Sequence, residues 1–507
     1  MHLFGIETEY GITREDLDAV DPVEESMELV RAHLTGEFER RWDYHGEDPH
    51  EDARGFRVSG LQQDKEEDDF AKVDAHRPYS FHEMKSDLVL PNGARFYNDH
   101  THPEYSTPEC RTLKDLLAHD RAGERIVQRA ADRRNQRLGG AHVQLYKNNT
   151  DFHGHSYGCH DNYLVPRALP FPQLVQGLLP FLVSRQVIAG AGKVGMEAQE
   201  SGFVPGPFQL SQRADFMEAE LGVDTMHNRP ILNTRDEPHA DRAKYRRLHL
   251  IVGDANFCEY ATALKVGTTR LALDLLQRGA APLVELEQPV TAIKQLSRDP
   301  DLKTTVRLKD GRTISGLAIQ QEYWNAASRV CGGSDPDADW VLREWHDTLQ
   351  CLGGDRTPLV GKLDWVTKQW LLETFMREEQ LAWEDPWLAS LDLEYHNLNP
   401  DRGLFLGLEA EGKTWRMTTE RDIAQALVAG PSDTRGGLRG LCVRRFPEQI
   451  TGMQWERVQF AGGLRSRTLE MGDLFEPEAV QACAGVFEAA ASPADALAAW
   501  AKRKDAQ

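Results

Sequence analysis

The first residues able to do chemistry are two carboxylates near the start of the chain. Leu3-Phe-Gly-Ile-Glu-Thr-Glu-Tyr-Gly-Ile12 alternates as a strand does, which places Glu7 and Glu9 on one face. Like charges held side by side repel, so such a pair is either solvated on an edge strand or bridged by a cation. A second group, Asp99-His-Thr-His-Pro-Glu-Tyr-Ser-Thr-Pro-Glu109, packs two histidines and three acids into eleven residues. Asp99 and Glu104 both fall at a strand end, and oxygen ligands of this kind suit magnesium. His100 and His102 alternate as zinc ligands would, but no third nitrogen or sulfur ligand stands at a recognisable spacing.

His160 lies in Gly158-Cys-His-Asp-Asn-Tyr163, a turn into a strand that follows the polar stretch Lys147-Asn-Asn-Thr-Asp151. A basic counterpart is supplied by Asn233-Thr-Arg-Asp-Glu-Pro-His239, then Arg246, Arg247 and His249. Guanidinium groups bind phosphate in a bidentate way. Acids for magnesium plus arginines for phosphate are what nucleotide-dependent phosphoryl chemistry needs; the competing reading is a network of structural ion pairs. Gly190-Ala-Gly-Lys-Val-Gly195 is not a phosphate loop, because Val194 stands where a hydroxyl must follow the lysine and Val187 where the first glycine belongs. A nucleotide would therefore lie on a sheet. Cys159, beside His160, reads as a structural thiol.

Positioning these groups requires strands over residues 1–12, after the turn Pro91-Asn-Gly93, over 142–148 and over 244–253. Arg95, Tyr97 and Asp99 share one face of the second of these. Helical spacing covers 23–42, 112–138 and 260–279, and the apolar run 168–190 reads as a buried helix pair. Residues 45–86 read as a long, flexible, acidic loop, densest at Asp64-Lys-Glu-Glu-Asp-Asp69; such an insert would gate the site or repel an acidic partner. The turn Lys309-Asp-Gly-Arg312 predicts a hairpin, and 338–385 is helical with Trp340, Trp345, Trp365 and Trp370 packing. A large unit, 1–428, is followed by a smaller one, 429–507, of short strands and a final Ala-rich helix, 477–502. Recurring strands with one charged face predict an α+β enzyme, with a polar, mostly antiparallel sheet backed by helices.

The bulk numbers bound the class. With 507 residues, 40% hydrophobic and 27% charged, the chain is an ordinary globular one. A net charge of −21 argues against a nucleic-acid or anionic-membrane partner. No run of 18 apolar residues and no basic-plus-apolar leader stands in the sequence, and the seven cysteines include no C-x-x-C pair. A reducing, cytoplasmic setting is the expectation.

Several motifs together carry a resemblance. Gly5-Ile-Glu-Thr-Glu-Tyr-Gly11, Asn92-Gly-Ala-Arg95, His102-Pro-Glu-Tyr105, Tyr157-Gly-Cys-His160, Leu210-Ser-Gln-Arg213, Asn233-Thr-Arg-Asp-Glu-Pro-His-Ala-Asp241 and Tyr245-Arg-Arg-Leu-His249 resemble the Pup ligase and depupylase family. That family is similar in fold to glutamine synthetase. The insert flanked by Arg41-Trp-Asp-Tyr44 and Asp52-Ala-Arg-Gly-Phe56, the Asp99-to-Glu104 spacing, Asp433-Thr-Arg435 and Arg439-Gly-Leu-Cys-Val-Arg-Arg-Phe446 resemble the depupylase branch. Ile6-Glu-Thr-Glu9, Gly190-Ala-Gly-Lys-Val194 and Gly158-Cys-His160 read as in ligases, and Asp161 replaces the usual Glu.

The resemblance implies magnesium held by Glu7, Tyr97 and Glu104, with Glu9 and His160 nearby. It implies ATP, or ADP plus phosphate, contacted by Arg95, Thr107, Arg213, Arg235 and Trp455, and Asp99 as the catalytic aspartate. The implied reaction is hydrolysis of the isopeptide between a Pup-like tag and a target lysine, or of the tag's C-terminal Gln amide, with Asp99 as nucleophile or as base. The partners are then the tag, its conjugates and a proteasome pathway. The alternatives are an ATP-consuming ligase working through a γ-glutamyl phosphate, and a non-catalytic tag-binding adaptor.

Overall fold

Six strands pair antiparallel in the order Tyr245–Leu250, Cys159–Pro166, Phe4–Glu9, His102–Ser106, Arg95–Asp99 and Leu88–Val89. The computed structural model describes every residue except 1–2, 18–19, 38, 40, 63–71, 199–201, 463–466 and 505–507. Register places Glu7 opposite Ser106 and His160, Glu9 opposite Glu104, and Tyr97 opposite Glu104. Because side chains alternate across a strand, this register sorts the sheet into two faces. One carries Glu7, Glu9, Tyr97, Asp99, Glu104, His160, Arg247 and His249, all of which line a single cleft. The other buries Phe4, Ile6, Phe96, Tyr105, Tyr163, Leu248 and Leu250 in the main core.

Helices Leu113–Leu138, Phe171–Ala189 and Glu259–Gln277 fill that core. The first starts where Thr112 accepts a hydrogen bond from the Asp115 amide and stops at Gly139, whose φ of 79° suits glycine. It approaches the sheet closely at Gly123, where a Cβ would stand 2.4 Å from the Tyr105 ring. The architecture is the α+β one expected, with a mostly antiparallel sheet.

Several expected elements differ. The helix expected over 23–42 is Pro22–Ala32, capped by Asp21 and ended at His33. Beyond it Trp42 pairs with Met453; Phe38 lies outside the described residues. The run 168–190 is one helix carrying Pro180 internally, because Phe171–Ala189 is buried along most of its length and needs no break. The stretch 45–86 is not a plain loop: it holds a two-residue hairpin, Glu51–Asp52 with Phe56–Arg57, and a helix, Phe81–Lys85. Asp64–Asp69 falls outside the described residues. Trp345 and Trp365 are buried, whereas Trp370 is 39% exposed and does not pack as expected. The hairpin at 306–318 forms as Thr305–Arg307 with Thr313–Ser315. The final helix is two, Pro477–Ala489 and Pro493–Lys504, broken where Pro493 starts a new first turn.

A second, smaller core gathers the three-stranded sheet Ile450–Met453, Arg457–Phe460, Arg467–Glu470 and the surrounding helices, with Trp42 and Val89 joining it from the N-terminal part. It is fastened to the end of the large sheet by Glu109, which bonds Arg435 Nε and Arg439 Nη2 at 2.8 Å each. Arg439 also donates to the Gly93 carbonyl at 2.8 and 3.0 Å. Burial opposes ionisation of Glu109, but the two arginines outweigh it and hold the carboxyl down to about 2. A depressed carboxylate stabilises the fold above its unfolded value, and that stability is lost as pH falls through the folded value. Glu109→Gln is therefore expected to cost roughly 3 kcal/mol at pH 7. The difference from wild type should shrink between about pH 4.3 and pH 2, as read by urea denaturation across that range.

Candidate active site

The cleft over the polar face encloses about 1040 Å³. Its floor is acidic. Glu104, fully buried, accepts hydrogen bonds from Tyr97 Oη at 2.7 Å and Ser106 Oγ at 3.0 Å. Burial, then repulsion from Asp99, Glu7 and Glu9, raises its carboxyl well above the usual range. Burial likewise raises Tyr97, which keeps its proton and donates. Glu9 accepts from the Gly158 amide at 2.7 Å. Carboxylate oxygens of Glu9, Asp99 and Glu104 all lie within 4.8 Å of one another.

Glu7 belongs to a second cluster. Its oxygens stand 3.3 Å from His160 Nδ1, 3.4 Å from His249 Nε2, 3.1 Å from Asn162 Nδ2 and 3.3 Å from Arg247 Nη1. Burial opposes its charge, but these donors win and hold it well below the ordinary value. His249 is pushed down to about 3 by burial and by Arg247, so its ring is neutral at pH 7. Neither His249 nitrogen is aligned for a hydrogen bond. A neutral His249 ring and the His160 imidazole beside a carboxylate, with neither His249 nitrogen engaged in a hydrogen bond, are a donor set that fits a divalent cation. A cation's charge would let Glu104 ionise beside Glu7.

Asp99 differs from its neighbours. Lys85, from the helix Phe81–Lys85, reaches its Oδ1 at 2.5 Å. Burial resists ionisation, yet Lys85 and His100 hold Asp99 far below the usual carboxylate range. Opposite the acids stand arginines bonded mainly to neutral oxygens. Arg213 donates to the Tyr157 carbonyl at 2.7 Å, and its buried Nε has no partner. With burial dominant, its pKa is drawn down to about 10. Arg235 donates to the Val223 carbonyl at 2.8 Å and Thr225 Oγ1 at 3.2 Å. Buried guanidinium groups without carboxylates favour an anionic ligand.

The cleft continues into an apolar alcove lined by Gly5, Ile6, Thr107, Trp455 and Phe475. Thr107 Oγ1 accepts from the Ile6 amide at 3.0 Å, and a Cβ on Gly5 would press on it at 3.2 Å. Arg95 lies between the Trp42 and Tyr97 rings, 4.1 and 3.7 Å from their centroids, and pairs with Asp87 at 2.5 Å.

Cleft and alcove thus bring together the residues that the resemblance implied: Glu7, Glu9, Arg95, Tyr97, Asp99, Glu104, His160, Arg213, Arg235 and Trp455 on the cleft, Thr107 on the alcove. Arg246 is excluded. Alternation turns it to the back, where it donates to the Leu169 carbonyl and lies over Phe171. Cys159 also faces back, with burial raising its thiol. Sequence reasoning missed Lys85, which stood inside a stretch read as loop. It read His249 only as part of a basic cluster, although the same alternation that places Arg247 places it on the cleft.

Glu104→Gln removes the carboxylate that only a cation would let ionise. It is expected to weaken magnesium binding by at least about 100-fold. Because the Glu104 carboxyl is raised, wild-type binding releases a proton, so affinity falls as pH falls. Isothermal titration calorimetry in buffers of different ionisation heat should show that release, and its loss in the variant.

Comparison with known proteins follows from this geometry. A family model described as Pup-ligase protein matches residues 2–459. The Pup deamidase/depupylase of Mycolicibacterium smegmatis is 43% identical over 480 residues, spanning 92% of this chain and 94% of that one. The Pup–protein ligase of Acidimicrobium ferrooxidans is 44% identical over 373 residues, spanning 72% of this chain and 81% of that one. The crystal structure of Pup in complex with its ligase PafA superposes with a TM-score of 0.77 at 34% identity, over 97% of this chain and 94% of that one. The structure of the Pup ligase PafA with ADP gives 0.72 at 36%, over 86% and 98%. The fold is glutamine synthetase-like, and the chain belongs to the Pup-ligase protein family.

Proposed function

We propose that this chain is a depupylase and Pup deamidase, an amidohydrolase acting on a Pup-like tag and its conjugates. The observation that carries the reading is reach. At nearly equal identity, the depupylase relative matches over 92% of the chain and the ligase relative over 72%. No helix among the described residues is long and apolar enough to cross a membrane. A reducing, cytoplasmic setting belongs to the same proposal and is supported by the seven unpaired cysteines.

Glu7, Glu9, Glu104 and His160, with Tyr97 beside them, would hold magnesium; Arg95, Arg213, Arg235, Thr107 and Trp455 would hold ATP, or ADP plus phosphate. Bound there, the metal would supply positive charge for developing negative charge and the nucleotide a fixed surface for the tag's end. The chain's own work centres on Asp99. A general base acts best with a pKa near the working pH. Asp99, held far below it beside Lys85, is a poor base but a permanent carboxylate. Direct attack is the step this supports. An Asp99 oxygen bonds to the side-chain amide carbon of the tag's last residue and the C–N bond breaks. The amine departs with a proton from water. Water then hydrolyses the resulting anhydride, returning Asp99 and the tag's γ-carboxylate.

The test is a steady-state assay with a purified conjugate, magnesium and ATP. Release of the target without matched ATP consumption is expected. Bond formation with one ADP per bond would identify a ligase, and tag binding without either would identify an adaptor. Asp99→Asn is expected to reduce cleavage at least 1000-fold, on the order seen when a nucleophile is removed, while nucleotide affinity is retained. Normal turnover by that variant would remove Asp99 from the mechanism.

A further inference from the structure

Lys85 is the only lysine among the described residues lining the cleft. Its backbone is held firmly. Ser80 and Glu83 form a capping box at the start of its helix, Asn98 Nδ2 donates to the Met84 carbonyl at 2.9 Å, and Arg31 donates to the Glu83 carbonyl at 2.8 Å and to Ser86 Oγ at 2.9 Å. The side chain is 14% exposed and ends on Asp99 Oδ1.

Sheet order gives Asp99 two distinct flanks. Glu104 and Glu9 stand on the strands to its inner side, whereas Lys85 arrives from the outer edge, just before Leu88–Val89. When a nucleophile adds to an amide carbon, negative charge grows on the acyl oxygen, which belongs on the side of Glu9 and Glu104, the residues that would hold a cation. The departing nitrogen then lies on the other flank, against Lys85.

We propose that Lys85 fills part of the amine subsite and sets the balance between the two hydrolyses, favouring the carboxamide of a C-terminal Gln over the isopeptide to a target lysine. This rests on the hydrolase reading above. A carboxamide nitrogen carries only hydrogens and fits beside the Lys85 ammonium. An isopeptide nitrogen carries the target's four methylenes, which must displace the Lys85 stem. In both reactions water supplies hydroxyl to the carbon and a proton to the nitrogen, and either amine leaves as an ammonium, so the substrates differ only in the alkyl chain on the amine side. Discrimination there acts through exclusion.

The experiment measures kcat/KM for a Gln-ended tag and for a conjugate, using the full chain with nucleotide and magnesium. Wild type is compared with Lys85→Ala and Lys85→Met. The ratio of isopeptide cleavage to deamidation is expected to rise about tenfold in Lys85→Ala. Lys85→Met, which keeps length and drops charge, should fall between. Damage to folding or to Asp99 alignment affects both substrates alike and cancels in the ratio. An unchanged or lowered ratio in both variants overturns the assignment and leaves the hydrolase reading standing. A wild-type chain that forms conjugates at the expense of ATP, and cleaves neither substrate, overturns the hydrolase reading and this inference with it.

Discussion

Antiparallel register forces Glu7, Glu9, Asp99 and Glu104 onto one face of one sheet, and the rest of the site answers that crowding. Nothing in a β-ladder relieves repulsion between carboxylates on adjacent strands. Each acid is therefore handled differently. Glu7 is held by two histidines, an asparagine and an arginine. Asp99 is held by a lysine. Glu9 takes a backbone amide. Glu104 receives only hydroxyl donors and is driven toward its neutral form. Four carboxyl groups in one cleft thus have different chemical characters, and the division of labour between holding a cation and attacking an acyl carbon follows from those partners.

The opposing wall obeys the complementary rule. Arg213 and Arg235 are anchored through carbonyl and hydroxyl oxygens, which fix orientation without neutralising charge. Arg435 and Arg439, by contrast, are matched to Glu109 and serve as fasteners between the two cores. Among these four arginines the same residue type does two jobs, and what separates them is whether a carboxylate of the chain has already claimed the guanidinium.

Much of this was readable from the sequence because it depends on period 2. Glu7 with Glu9, and Arg95 with Tyr97 and Asp99, needed only strand alternation to share a face. Alternation also separates Arg246 from Arg247, so treating both as phosphate ligands ignored information already present. What was not readable depends on contacts distant in sequence. Lys85 meets Asp99 because Asn98 and Arg31 anchor the short helix that carries it, and nothing in 45–86 signals that anchoring. The break between Ala489 and Pro493 was announced by Ser492-Pro493, a helix-start signal that an Ala-rich run masked. Phe171–Ala189 went the other way. The apolar run 168–190 read as two helices, but Phe171–Ala189 continues through Pro180 as one.

Trp42 has a consequence for how the molecule is made. It leaves the N-terminal strand-and-helix region, pairs with Met453, joins the small core and leans on Arg95 and Trp455. During synthesis this indole emerges from the ribosome some four hundred residues before Met453. Until then a large aromatic ring has no home, and Arg95 lacks one wall of its cage. Completion of the catalytic cleft is thereby tied to a part of the chain translated much later, and a nascent product lacking it would carry the acidic floor without its finished alcove.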